Sequence, residues 1–192
     1  MSYLVAGLVL FLGTHSVRIF ADDWRTAVMA RIGQGPWRGL YSLASALGLV
    51  LIVYGFGLSR EAPVIVWTSP PWMTHVTAVL MLPVFVLIAA AYVPATNIRP
   101  KVGHPMVAGI KLWAFAHLLS NGRLGDVVLF GAFLLWAVID FRVLRQRDRA
   151  QGVTYPAGEA RRDIVAIVIG LVAYAVFALY LHGPLIGVRP FG

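Results

Sequence analysis

HPMVAGIKLWAFAHLLSNG, residues 104–122, decides the fold. It is long and apolar enough to read as a helix across a membrane, with chemistry at both ends. His104 can cap it, Pro105 suits its first turn, and Asn121-Gly122 can close it. Within it lie Lys111 and His117. Hydrocarbon accepts an ionisable side chain only at a cost, so such a group inside a span is a functional candidate by default.

Composition agrees with that reading along the whole chain. Of 192 residues, 59% are hydrophobic and 12% charged, and the mean hydropathy is +0.79. Those values exclude an ordinary soluble domain. The fold class expected is all-α, a single polytopic transmembrane helical bundle of about six helices. Cysteine is absent, which removes disulfides, thiolate ligation of haem and iron–sulfur clusters together.

The spans expected are approximately 2–20, 39–58, 74–93, 104–121, 125–141 and 164–182. The first has no basic residues ahead of its apolar run and ends near Arg18, the reverse of a secretory signal, and it carries His15 within FLGTHSVRIF. After it, Trp24, Val28 and Ile32 recur at helical spacing behind Asp22-Asp23, the pattern of a short interfacial helix. Pro63, Pro70 and Pro71 break the chain before the third span, and Trp67 and Trp72 stand where an aromatic belt would sit. The longest hydrophilic stretch, FRVLRQRDRAQGVTYPAGEARRD, precedes the last span.

Charge tests the assignment, because lysine and arginine should concentrate in alternate connections. One side collects Arg18, Arg25, Arg31, Arg38, Arg99, Lys101, Arg142, Arg145, Arg147, Arg149, Arg161 and Arg162; the other collects Arg60, Arg123 and Arg189. With Lys111 inside a span, these account for all sixteen. Both termini are therefore expected outside the cytoplasm. The basic side fits anionic lipid, and the run from Arg142 to Arg149 adjoins a span, so membrane lipids rather than nucleic acid are the partner expected. A homo-oligomer is left open.

Depth follows from a rise of ~1.5 Å per helical residue. His15 falls near the cytoplasmic end of the first span, His104 at the cytoplasmic mouth of the fourth, and His117 ~20 Å above it. His75 and His182 fall at the opposite surface, where solvation explains them. Lys111 can snorkel toward the start of its helix or pair with Asp140. The sequence holds no phosphate-binding glycine loop, no HExxH and no GxSxG, so nucleotide hydrolysis and the familiar hydrolase chemistries lack their residues.

The segment 104–122, together with FLGTHSVR in the first span, resembles the NnrU family of bacterial membrane proteins, whose distant relatives include the plant 15-cis-zeta-carotene isomerase. The resemblance covers roughly residues 1–139 and rests on histidine-proline, a tryptophan and a second histidine thirteen residues on. It implies a haem b held by histidines in a helical bundle of the bacterial inner membrane. Carried over, the iron ligands fall on His15 and His117. Where the plant enzyme has a cysteine shortly before its second histidine, this chain has Ala114.

Neutral imidazole is an ordinary axial ligand, and facing helices can place two histidines about a porphyrin. Trp113 and Phe115 would wall the site, and Arg18, Arg99 and Lys101 could meet haem propionates. His15 and His117 differ by ~12 Å in depth, so His104 stays open as an alternative ligand or a support for one. Three functions remain, of which the resemblance implies the nitrogen-oxide link of the first and the isomerisation of the second. The first is a haem protein of nitrite and nitric oxide respiration, redox chemistry or haem handling; the second is a haem-dependent cis-trans isomerase of a carotenoid-like polyene; the third is a cofactor-free transporter or accessory subunit. Whether the protein is an enzyme is undecided at this level.

Overall fold

A computed structural model describes residues 1–191, and its regular structure is helical. The helices are α1 (Ser2–Phe20), α2 (Asp22–Ile32), α3 (Gln34–Ser59), α4 (Met73–Tyr92), α5 (Ile98–Val102), α6 (Pro105–Ser120), α7 (Leu124–Ala150), α8 (Ala160–Val176) and α9 (His182–Ile186), with a π-helical turn, Phe177–Leu181, joining α8 to α9. Helices α1, α3, α4, α7 and the continuous run from α8 to α9 are long and apolar enough to cross a membrane. Helix α6 is apolar but has 16 residues, about 24 Å of rise against a hydrocarbon core of about 30 Å. The expected bundle of about six apolar helices is thus present, and the chain is a multi-pass membrane protein.

Boundaries depart from the hydropathy reading where charge rather than conformation ended the run. Helix α7 continues past Phe141 through RVLRQRDRA to Ala150, because arginine, leucine and glutamine are good helix formers. It stops before Gly152, which takes a positive φ of 62°. The interfacial segment forms α2, and α3 begins at Gln34, earlier than the apolar run implies.

The chain divides into two compact units. The first comprises Met1–Thr68 with Asn121–Trp136; the second comprises Ser69–Ser120 with the chain from Ala137 on.

In the first unit, α1 packs on α3 through glycines. A Cβ at Gly7 would lie 2.6 Å from the Ile52 nitrogen, one at Gly48 2.8 Å from the Phe11 nitrogen, and one at Gly55 would run into the Leu4 backbone. Membrane helices lack a hydrophobic drive toward each other, so small residues that let backbones approach supply the packing. The pairs Leu4–Gly55, Gly7–Ile52 and Phe11–Gly48 run in opposite senses, so α1 and α3 are antiparallel. Residues 41, 45, 48, 52 and 55 share one α3 face at helical spacing. Beyond α3, the chain meets the start of α7: the Val66 and Trp67 amides donate to the Gly122 carbonyl, and Leu124 donates to that of Val64. A Cβ at Gly122 would collide with the Trp67 carbonyl. The Asn121-Gly122 turn is therefore required by this contact as well as by helix closure.

In the second unit, α4 packs against both α6 and α8. Ala89, Ala90 and Ala166 form a buried cluster covered by Val93 and Ile98. Gly170 again marks a close approach, since its Cβ would lie 2.7 Å from the Val86 backbone. Two basic connections meet at one end of this unit. The Asp163 carboxylate accepts from the Asn97 amide at 2.7 Å, the Asn97 side chain at 3.0 Å and the Ile98 amide at 3.2 Å, while Gly158 donates to the Asn97 side chain at 3.1 Å. Helix α5, carrying Arg99 and Lys101, and the start of α8, carrying Arg161 and Arg162, are thereby held together.

Candidate functional site

His15 sits in an aromatic cluster of the first unit. Its Nδ1 donates to the Phe11 carbonyl at 2.7 Å, which fixes the tautomer of the neutral ring and leaves the Nε2 lone pair as its acceptor. Phe11 stacks on the imidazole at 4.3 Å and 28°; Tyr41 lies at 5.3 Å, and Trp136 stands edge-on at 6.1 Å and 88°. Phe133 closes on Phe11 at 5.9 Å. Arg18 follows His15 by three residues and therefore shares its side of α1.

His117 occupies the second unit and repeats the same device. Its Nδ1 donates to the Trp113 carbonyl at 3.0 Å, and the two rings lie 5.5 Å apart. Trp113 is thus bound to His117 through both its backbone and its ring, one helical turn before it. The helix carrying them is pinned to α4 by buried Thr77, which donates to the Ala116 carbonyl at 2.9 Å. On the same helix, the Lys111 ammonium lies 4.3 Å over the Phe141 ring. This cation–π contact is made with the residue after Asp140, the partner expected of it.

His104 is separated from His117 by most of α6. Its carbonyl accepts from Ala108 to start that helix. Its Nε2 is 2.8 Å from the Asp148 carboxylate, to which the Tyr155 hydroxyl also donates at 2.7 Å. The ring therefore joins α6 to the extension of α7 and to the following connection. Burial pushes the Tyr155 phenol up, and its hydrogen bond to Asp148 adds to the rise. The fold thus favours the neutral phenol; this contribution is complete below the ordinary value of about 10 and is lost as pH rises through the raised one.

Tyr155→Phe is expected to lower the thermal midpoint by about 3 °C and to speed trypsin cleavage at Arg149. An unchanged midpoint and digestion pattern would show that the Asp148 contact does not hold this connection.

The sequence reading missed Asp148 and Tyr155. One signal was available: Asp148 is the only acid between Phe141 and Gly158, set among arginines. His182 donates from Nδ1 to the Val188 carbonyl at 2.6 Å, and His75 is exposed.

Among the described residues, no group of three or more histidine, cysteine or acidic side chains could cage a bare metal ion. A metal bound here would have to bring most of its ligands with it, as a porphyrin does, and a single oriented imidazole then suffices. His15 and His117 suit that requirement. Their hydrogen-bonded Nδ1 atoms are the usual orienting contact of a ligating histidine.

Compared with known proteins, residues 3–190 match the family described as NnrU protein. No curated protein and no solved structure matches.

Proposed function

The chain belongs to the NnrU family, and on that footing we propose that it is a haem b-binding protein of the bacterial inner membrane, with His15 and His117 as iron ligands, serving nitrogen-oxide respiration or haem handling. The observation that carries the reading is the matched state of the two rings. Each donates from Nδ1 to the carbonyl four residues earlier, at Phe11 and at Trp113, the orienting contact usual for a ligating histidine. Bound haem would supply one-electron chemistry, and nitric oxide would reach the iron by displacing one of the two imidazoles.

The protein's own residues would hold and shield the group. Phe11, Tyr41 and Trp136 lie against His15; Trp113 lies beside His117. Arg18 supplies positive charge one turn from His15, suited to a propionate. His104 supports this reading as a structural residue, its Nε2 directed to Asp148.

Titrating haemin into protein prepared haem-free in lipid nanodiscs tests the proposal. The expected result is a saturable, red-shifted Soret band that shifts again when nitric oxide meets the reduced sample. Haemin that partitions into protein-free nanodiscs with the same spectrum and without saturation would overturn it.

A further inference from the structure

Helices α4 and α8 leave a groove of about 460 Å³ between them inside the second unit, a volume within the range of small-molecule sites. Phe85, Ile88 and Tyr92 line it from α4, and Val165, Ile169 and Ala173 from α8. On each helix these residues recur three or four apart, so they form a continuous stripe. Gly170 meets Val86, and Ala166 packs with Ala89 and Ala90, which makes the helices antiparallel. Tyr92 therefore stands at the same end as Arg162, the one charged residue of the lining among the described residues. From Arg162 to Ala173 the groove follows a rise of about 16 Å, the depth of one leaflet of a hydrocarbon core about 30 Å thick. Val165 and Ile169 remain exposed along it, so a chain can enter from the side.

The charged end is chemically incomplete. Arg162 is half-buried, and among the described residues its guanidinium has no hydrogen bond or ion pair. The acids nearest in sequence are engaged elsewhere, Glu159 by Arg161 and Asp163 by Asn97 and Ile98. Helix α5 and the start of α8, which meet there, carry Arg99, Lys101, Arg161 and Arg162 against Glu159 and Asp163. Positive charge is in excess, and no idle carboxylate remains for a headgroup ammonium.

We propose that this groove seats one acyl chain of an anionic phospholipid, with the lipid phosphate on Arg162. Guanidinium binds phosphate through paired hydrogen bonds, and basic pockets at the ends of membrane helices recognise anionic headgroups. The apolar stripe below sets the path of the chain. The site requires no haem.

Native mass spectrometry of the full-length protein tests this, with the protein delipidated in detergent and then offered phosphatidylglycerol or phosphatidylcholine carrying the same chains. One phosphatidylglycerol adduct should outlast phosphatidylcholine as the micelle is stripped away. Arg162→Gln should lower its occupancy about fivefold, and Arg162→Lys, which keeps the charge, should retain most of it. Arg149→Gln removes an equal charge from an exposed position near the end of α7 and should leave occupancy unchanged. Ala173→Trp fills the far end of the groove and should expel the adduct. Equal retention of the two lipids overturns the proposal, as does an equal loss in Arg162→Gln and Arg149→Gln, which would mark diffuse attraction to a basic surface. An adduct that survives Ala173→Trp would place the chain outside the groove and overturn it too.

Discussion

Gly55→Leu should destabilise the first unit by about 3 kcal/mol or more, a fall of about 10 °C in thermal midpoint. The cause is backbone against backbone: a Cβ at Gly55 has no room beside Leu4, and Leu4 is fully buried. Neither partner is the free end of a side chain that could swing away, so α1 and α3 would have to separate. Separation would also loosen the Gly7–Ile52 and Gly48–Phe11 contacts along the same seam. The comparison lies two residues on. A Cβ at Gly57 meets nothing within 4 Å, and Gly57→Leu should stay within about 0.5 kcal/mol of the parent. Similar melting of the two variants would show that the glycine seam does not hold these helices together.

His15→Ala should reduce bound haem by at least about tenfold, the effect of losing roughly 1.4 kcal/mol or more. Alanine removes the ring that Phe11 stacks upon and orients through its carbonyl. Added imidazole should restore the Soret band, since a free ligand can enter the space vacated by the ring. His117→Ala is expected to behave alike. His75→Ala should retain haem, because that residue is exposed. Loss of pigment in all three, without rescue, would point to misfolding rather than to ligation.

Much of the fold was legible because the membrane imposes one simple rule: about 20 apolar residues make a span. Ser2–Phe20 and Met73–Tyr92 fall within a residue or so of where hydropathy puts them. The same rule fails where a helix leaves hydrocarbon, since hydropathy changes at Phe141 while helix propensity does not. It is also silent on the π turn at Phe177–Leu181, whose register change leaves no mark in an apolar run. For the site, His15 and His117 were readable as ionisable groups in spans, and their partners lie four residues back, within one helix. The His104–Asp148–Tyr155 cluster was not, because 44 residues separate the histidine from its carboxylate. The groove between α4 and α8 depends on packing between helices, which a single sequence does not display.

The most direct measurement is the absorption spectrum and pyridine haemochrome of the protein purified from cells supplied with haem, oxidised and then reduced. A Soret band with sharpened α and β bands on reduction, and a haemochrome of the b type, is the predicted result. A colourless protein, folded and cleanly extracted, would contradict the account and leave His15 and His117 as ordinary hydrogen-bonded residues of the bundle.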